Sequence, residues 1–300
     1  MVEVSSRTLQ GRFLLRPSKE ANDLILGVIG RAQSKYRVEI FAFIFMSNHF
    51  HILIRAQSAQ QMARFVGFVK ANIAKELGRL HRWREKFWGR RYHSASIADS
   101  PEAVKARFKY IASNSCKEGL VASPLSWPGT SSLNAMCLGE STLTGVWYDR
   151  SAENRATRKG DRTPVASVET VRLTPLPFLA DLSAEDQRGF VKDIVREIES
   201  ETQEMHRHGG TRPMGVRRIQ RMKPHGKPRR LKPTPAPLFH FATSDEFERM
   251  RIARELRVAQ YRAAAMRLHR GERDVQFPRG CFPPPAPFRA DRAPPPQPTC

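Results

Sequence analysis

Two histidines one residue apart, His49 and His51, stand at the head of an apolar run that ends at Ile54. On a strand, residues two apart project from the same face. The two imidazoles would therefore lie side by side, with Phe50 turned away. A pair of neutral imidazoles is a good start on a divalent-metal site, although such a pair also occurs in purely structural roles. Tyr110 is the second candidate. In residues 104–114 the apolar stripe of a helix is Val104, Phe108 and Ile111, and Tyr110 falls on a more polar side with Arg107, Asn114 and Lys117. Asn114, four residues on, is its neighbour on a helical surface. Phenol, amide and two imidazoles supply a nucleophile, an oxygen ligand and two nitrogen ligands. The chemistry that suits them is attack on a DNA phosphodiester. Tyrosine is a covalent nucleophile, and an ion on His49 and His51 would polarise a phosphate oxygen and align phosphorus with the phenol. The product is a 5′-phosphotyrosine and a free 3′-hydroxyl, so rejoining needs no ATP. The alternatives are a half-buried packing role for Tyr110 and helix capping for Asn114.

The elements that must bring these groups together can be read from hydropathy. Residues 2–15 look extended, and Ser18 opens a helix with a stripe at Ala21, Ile25, Val28 and Ala32. Residues 38–55 read as a hairpin broken at Ser47-Asn48. A second helix is expected over about residues 59–80 and a fourth strand over 92–98. A third helix starts at Ser100-Pro101-Glu102 and ends near Gly119. The order β-α-β-β-α-β is that of an α+β, ferredoxin-like antiparallel sheet with helices on one face, and the third helix is an addition to it. Past residue 125 the pattern weakens. Helices are expected near 182–206 and 244–270, a basic tether over 207–232, and a proline-rich tail over 278–300.

The chain has 300 residues and a net charge of +22, which favours a polyanionic partner. No apolar run approaches a membrane span, and the N-terminus lacks a signal-peptide pattern. Cys116, Cys137, Cys281 and Cys300 form no Cys-x-x-Cys pair, which argues against a disulfide framework or zinc ribbon and for a reducing cytoplasm. Six basic residues between Arg79 and Arg91 surround Trp83, Phe87 and Trp88, the composition of a single-strand groove. At least one of those aromatics is expected in the core. His93 is either a phosphate contact or a solvated strand residue. Arg217, Arg218, Arg221, Lys223, Lys227, Arg229, Arg230 and Lys232 suit backbone binding without sequence readout.

Residues 46–54, Met-Ser-Asn-His-Phe-His-Ile-Leu-Ile, and residues 110–121, beginning Tyr-Ile-Ala-Ser-Asn, resemble the HUH single-tyrosine transposases, in particular the REP-associated tyrosine transposase-like group. Residues 87–93 and 127–132 resemble the same group's surroundings. Ser115 and Glu118 depart from its pattern, which has proline after the asparagine and a small residue before the glycine. The resemblance covers about residues 1–135, leaving 136–300 as a helical, partly irregular basic extension. It implies an HUH nuclease fold, Mg²⁺ or Mn²⁺, and single-stranded or hairpin DNA. It makes Tyr110 the nucleophile, His49 and His51 the metal ligands, and Asn114 a third ligand. Arg90, Arg91, Arg107 and Lys117 are the candidates for DNA contact. The expected protein is a cytoplasmic, nucleoid-associated bacterial enzyme, monomeric or homodimeric. The alternative is a domesticated, catalytically silent nucleic-acid-binding protein of the same fold. A replication initiator or relaxase fits less well, because no second tyrosine lies one turn from Tyr110 and no helicase motif follows.

Overall fold

Strand β1 (Val2–Arg7) leads through a tight turn at Leu9–Gly11 into helix α1 (Lys19–Tyr36) in a computed structural model of the chain. The structure describes residues 1–161, 163–228, 239–241 and 243–285. The Ser18 hydroxyl opens α1 by accepting the Ala21 N–H. β2 (Glu39–Phe45) and β3 (His49–Arg55) form the expected hairpin, and α2 (Ala59–Leu80) starts at a cap in which Ser58 accepts the Gln61 N–H. β4 (His93–Ile97) and α3 (Pro101–Ala112) follow, with Ser100 as cap and Pro101 in the first turn. The strand order is β2-β3-β1-β4, each pair antiparallel, which is the ferredoxin-like sheet.

Register assigns the two faces, because residues directly opposite on neighbouring strands share one. Val4 pairs with Ile52, and Phe45 with Phe50. These join Ile25 and Val28 of α1 and Val66 and Ile73 of α2 in the main core. Ser5 pairs with both His51 and His93, Arg7 with His49, and Glu3 with Leu53 and Ala95. That second face is the one α3 covers, through buried Val104, Phe108 and Ile111. The sheet thus separates a dry core from a layer that holds all the polar candidates.

The third helix is shorter than the sequence suggested. It ends at Ala112, and the chain restarts as α4 (Asn114–Lys117). The Ser113 hydroxyl donates to the Tyr110 carbonyl, a local bond that competes with helix continuation. Gly119 ends α4 at φ 65°, the left-handed conformation expected of it. The strand expected over residues 2–15 also stops early, at Arg7.

Beyond α5 (Leu133–Leu138) lies an unforeseen two-stranded hairpin, β5 (Thr142–Tyr148) and β6 (Ala166–Arg172), with α6 (Arg150–Arg158) in its connection. It packs across α1 at backbone contact: a Cβ on Gly27 would come within 2.0 Å of the Val146 carbonyl oxygen. α7 (Ala184–Gly209) covers α3, with Phe190 6.3 Å from Phe108 and Lys109 bonded to Glu197 and Glu201. The basic stretch expected as a tether contains helix α8 (Val216–Arg221), pinned by buried Ile219. The stretch around it is tied to the N-terminal half by the Phe13 N–H donating to the Gly226 carbonyl and the Met214 N–H donating to the Gly119 carbonyl. β7 (Phe239–His240) then adds to β4 in parallel. Arg229, Arg230, Lys232 and the tail from residue 286 lie outside the described residues.

The chain divides into two units, Met1–Phe247 and Glu248–Cys300. Helix α9 (Ser244–His269) falls mostly within the second. Among the described residues no helix is long and apolar enough to cross a membrane.

Candidate active site

His49 and His51 share the α3-covered face, their ring centroids 5.1 Å apart. Tyr110 reaches the pair from α3, with its ring 5.7 Å from that of His51. Asn114 arrives from the start of α4 and sets Oδ1 3.2 Å from His49 Nε2. The structure therefore brings the four residues of the sequence argument together. The Tyr110 hydroxyl has no hydrogen-bond partner among the described residues.

The protonation of His49 follows from its neighbours. Nδ1 lies 2.7 Å from Asn48 Oδ1. The Asn48 amide nitrogen is committed to the Gly11 carbonyl at 3.1 Å, so the oxygen faces the ring and favours the proton on Nδ1, the shorter of the ring's two contacts with an amide oxygen. Burial, then the charges of His51 and Arg7, push His49 down to about 3, against a smaller opposing effect of Asn114. The ring is neutral, and its Nε2 faces Asn114 Oδ1.

His51 is held by a residue that the sequence reading missed. Its Nδ1 lies 2.5 Å from Glu3 Oε1, which leaves Nε2 as the ring's available nitrogen. Glu3 is 3 % exposed. Its Oε2 accepts from Arg107 Nη2 at 2.5 Å and from His240 Nε2 at 3.1 Å. Burial would raise the Glu3 carboxyl. The hydrogen bonds from His240 and His51, with the charges of His51 and Arg107, outweigh it and hold the group well below the usual carboxylate range. A carboxylate behind an imidazole is how metal-binding histidines are oriented.

The DNA-contact candidates separate into two kinds. Arg107 is buried, bonded to Glu3, with its guanidinium 3.7 Å over the Tyr110 ring. Lys117 is exposed, its ammonium 4.9 Å from the same ring. Arg90 and Arg91 are exposed just before β4. Phe87 and Trp88 lie in the core, and the Trp88 indole N–H donates to the Lys70 carbonyl. Trp83 is half-buried under the Arg12 guanidinium. His93 lies beside the site, depressed first by burial, with no partner for its Nε2.

Asn48, Arg7, Glu3 and His240 are the additions the structure makes. Glu3 left a trace in the sequence: with Ser5 and Arg7 it keeps the parity opposite Val2 and Val4, which marks the second sheet face. His240 left none.

Residues 17–114 match the family model described as "Transposase IS200 like". That match spans about a third of the chain and includes His49, His51, Tyr110 and Asn114. It excludes β1 with Glu3 and β7 with His240. Among solved structures, a REP-associated tyrosine transposase bound to a REP hairpin is similar at 16% identity. The alignment covers 46% of this chain and 79% of that one, with a TM-score of 0.39. A candidate transposase from Deinococcus radiodurans R1 is similar at 16% identity over 38% of this chain and 88% of that one, with a TM-score of 0.29. No curated protein matches the sequence.

Proposed function

We propose that this chain cleaves and rejoins single-stranded DNA through a covalent 5′-phosphotyrosine on Tyr110. The observation that carries the reading is the meeting of Tyr110, its hydroxyl unbonded among the described residues, with the paired rings of His49 and His51. The Tyr110 phenol gives up its proton as its oxygen bonds to phosphorus, the bond from phosphorus to the 3′ oxygen breaks, and the departing 3′ oxygen takes up one proton, so the exchange is proton-neutral overall. Arg107 and Lys117 flank the attacking ring and place positive charge where the phosphate charge gathers. Exposed Arg7, Arg90 and Arg91 suit the flanking phosphates.

The donor set fits a divalent ion. His49 and His51 each offer Nε2, because Asn48 and Glu3 occupy the other nitrogen, and Asn114 adds an amide oxygen. These residues would hold Mg²⁺ or Mn²⁺, which polarises a non-bridging phosphate oxygen when bound. A second reading is a DNA-binding protein that no longer cuts, which the net charge of +22 and exposed Arg7, Arg90 and Arg91 would serve equally well.

Incubation with labelled hairpin DNA and Mn²⁺, followed by a denaturing gel, decides between them. The nicking reading requires an adduct from the wild type and none from Tyr110→Phe. Tight DNA binding without an adduct on any hairpin supports the second.

A further inference from the structure

His240 enters the site from far outside the matched segment. It stands on a two-residue strand, held by backbone pairing to β4 and by the Ala98 N–H donating to its carbonyl. Those backbone bonds need no particular side chain. The imidazole does something else. Nε2 is 3.1 Å from Glu3 Oε2, and a carboxylate only accepts, so Nε2 carries the proton. Nδ1 is then the acceptor and faces Arg107 Nη1 at 3.5 Å. One neutral ring thus links the two groups of the buried ion pair. Its side chain is 17% exposed, against 4% for Glu3.

The division of labour on Glu3 matters. Among the described residues Oε1 serves His51 alone, whereas Oε2 is shared by Arg107 and His240. With two donors from different elements, α3 and β7, the carboxylate cannot pivot about either. We propose that His240 is a positioning residue of the nicking site, fixing Glu3 so that Glu3 presents His51 with Nε2 free, and that β7 is therefore part of the catalytic machinery. This rests on the metal-dependent reading above.

The test uses the full chain as wild type, His240→Phe and His240→Gln. Phenylalanine keeps a ring and removes both nitrogens, whereas the glutamine amide can still donate to Glu3. Mn²⁺ affinity is measured by calorimetry without DNA, alongside melting temperature and the adduct rate at saturating Mn²⁺. Loss of an outer partner of a metal-binding histidine weakens metal affinity about 10–100-fold, and His240 acts one step further out, through Glu3, so the low end, about tenfold, is expected. His240→Phe should show that loss with a near-wild-type melting temperature, and His240→Gln should recover most of it. A purely structural role would move the melting temperature and leave the affinity of the folded protein unchanged. Equal Mn²⁺ affinity in wild type and His240→Phe overturns the proposal. So does a His240→Gln chain as weak as His240→Phe, or a His240→Phe chain that does not fold. A wild type that neither binds Mn²⁺ nor forms an adduct sinks the nicking reading itself.

Discussion

Replacing Glu3 with glutamine removes the charge on which three side chains converge. The Arg107 guanidinium and the Glu3 carboxylate are 10% and 4% exposed, so the substitution leaves a buried cation without its counterion. Breaking a buried pair from one side costs about 3–5 kcal/mol. Glutamine retains an acceptor for Arg107, so the lower end, about 3 kcal/mol, is expected for Glu3→Gln. For a unit of this size each kcal/mol lowers the melting temperature by about 2–4 °C, giving a drop of about 6–12 °C at neutral pH. The sign of the pH dependence is also fixed. Glu3 lies below its ordinary value of 4.5, so its contribution is complete above that pH and is lost as the pH falls toward the folded-state value. Melting curves of wild type and Glu3→Gln from pH 7 to pH 3 should therefore converge toward acid. A difference under about 1 °C at pH 7, or a gap that widens below pH 4.5, would refute the buried-carboxylate account.

Four further outcomes follow from particular residues. Gly27→Ala drives a Cβ into the Val146 carbonyl and should cost about 1–3 kcal/mol in urea denaturation. Gly67→Ala, with nothing within 4 Å of its added Cβ, should instead stabilise by about 0.5–1 kcal/mol. Asn48→Ala releases the His49 ring from its fixed tautomer and should weaken Mn²⁺ binding about tenfold by calorimetry. Tyr110→Phe removes a hydroxyl that bonds nothing among the described residues, so its stability should stay within about 0.5 kcal/mol of wild type while the DNA adduct disappears.

The sheet order and the meeting of His49, His51, Tyr110 and Asn114 were legible because strand parity and helix caps are local signals. Ser18 and Ser100 each mark a helix start within one residue. The end of α3 was misread because Ser113 offers no break in composition; its effect is a side-chain bond to the Tyr110 carbonyl. The β5–β6 hairpin went unread for a different reason. Its contact with α1 is backbone on backbone at Gly27 and Gly145, and glycines add nothing to an apolar stripe. Arg107 was legible only as a charge on the polar side of its helix, and its ion pair was not. Its partner Glu3 sits more than a hundred residues away on β1, and no spacing rule connects them. His240 depends on a strand of two residues, shorter than any hydropathy window can detect.

The central claim is a covalent bond at one tyrosine. The direct measurement is mass spectrometry of the tryptic peptides after reaction with a labelled DNA hairpin and Mn²⁺. The account predicts a nucleotide on the peptide that starts at Tyr110 and ends at Lys117, linked through a 5′ phosphate to the phenol. An adduct on any other residue, or cleaved DNA with that peptide unmodified, would contradict it.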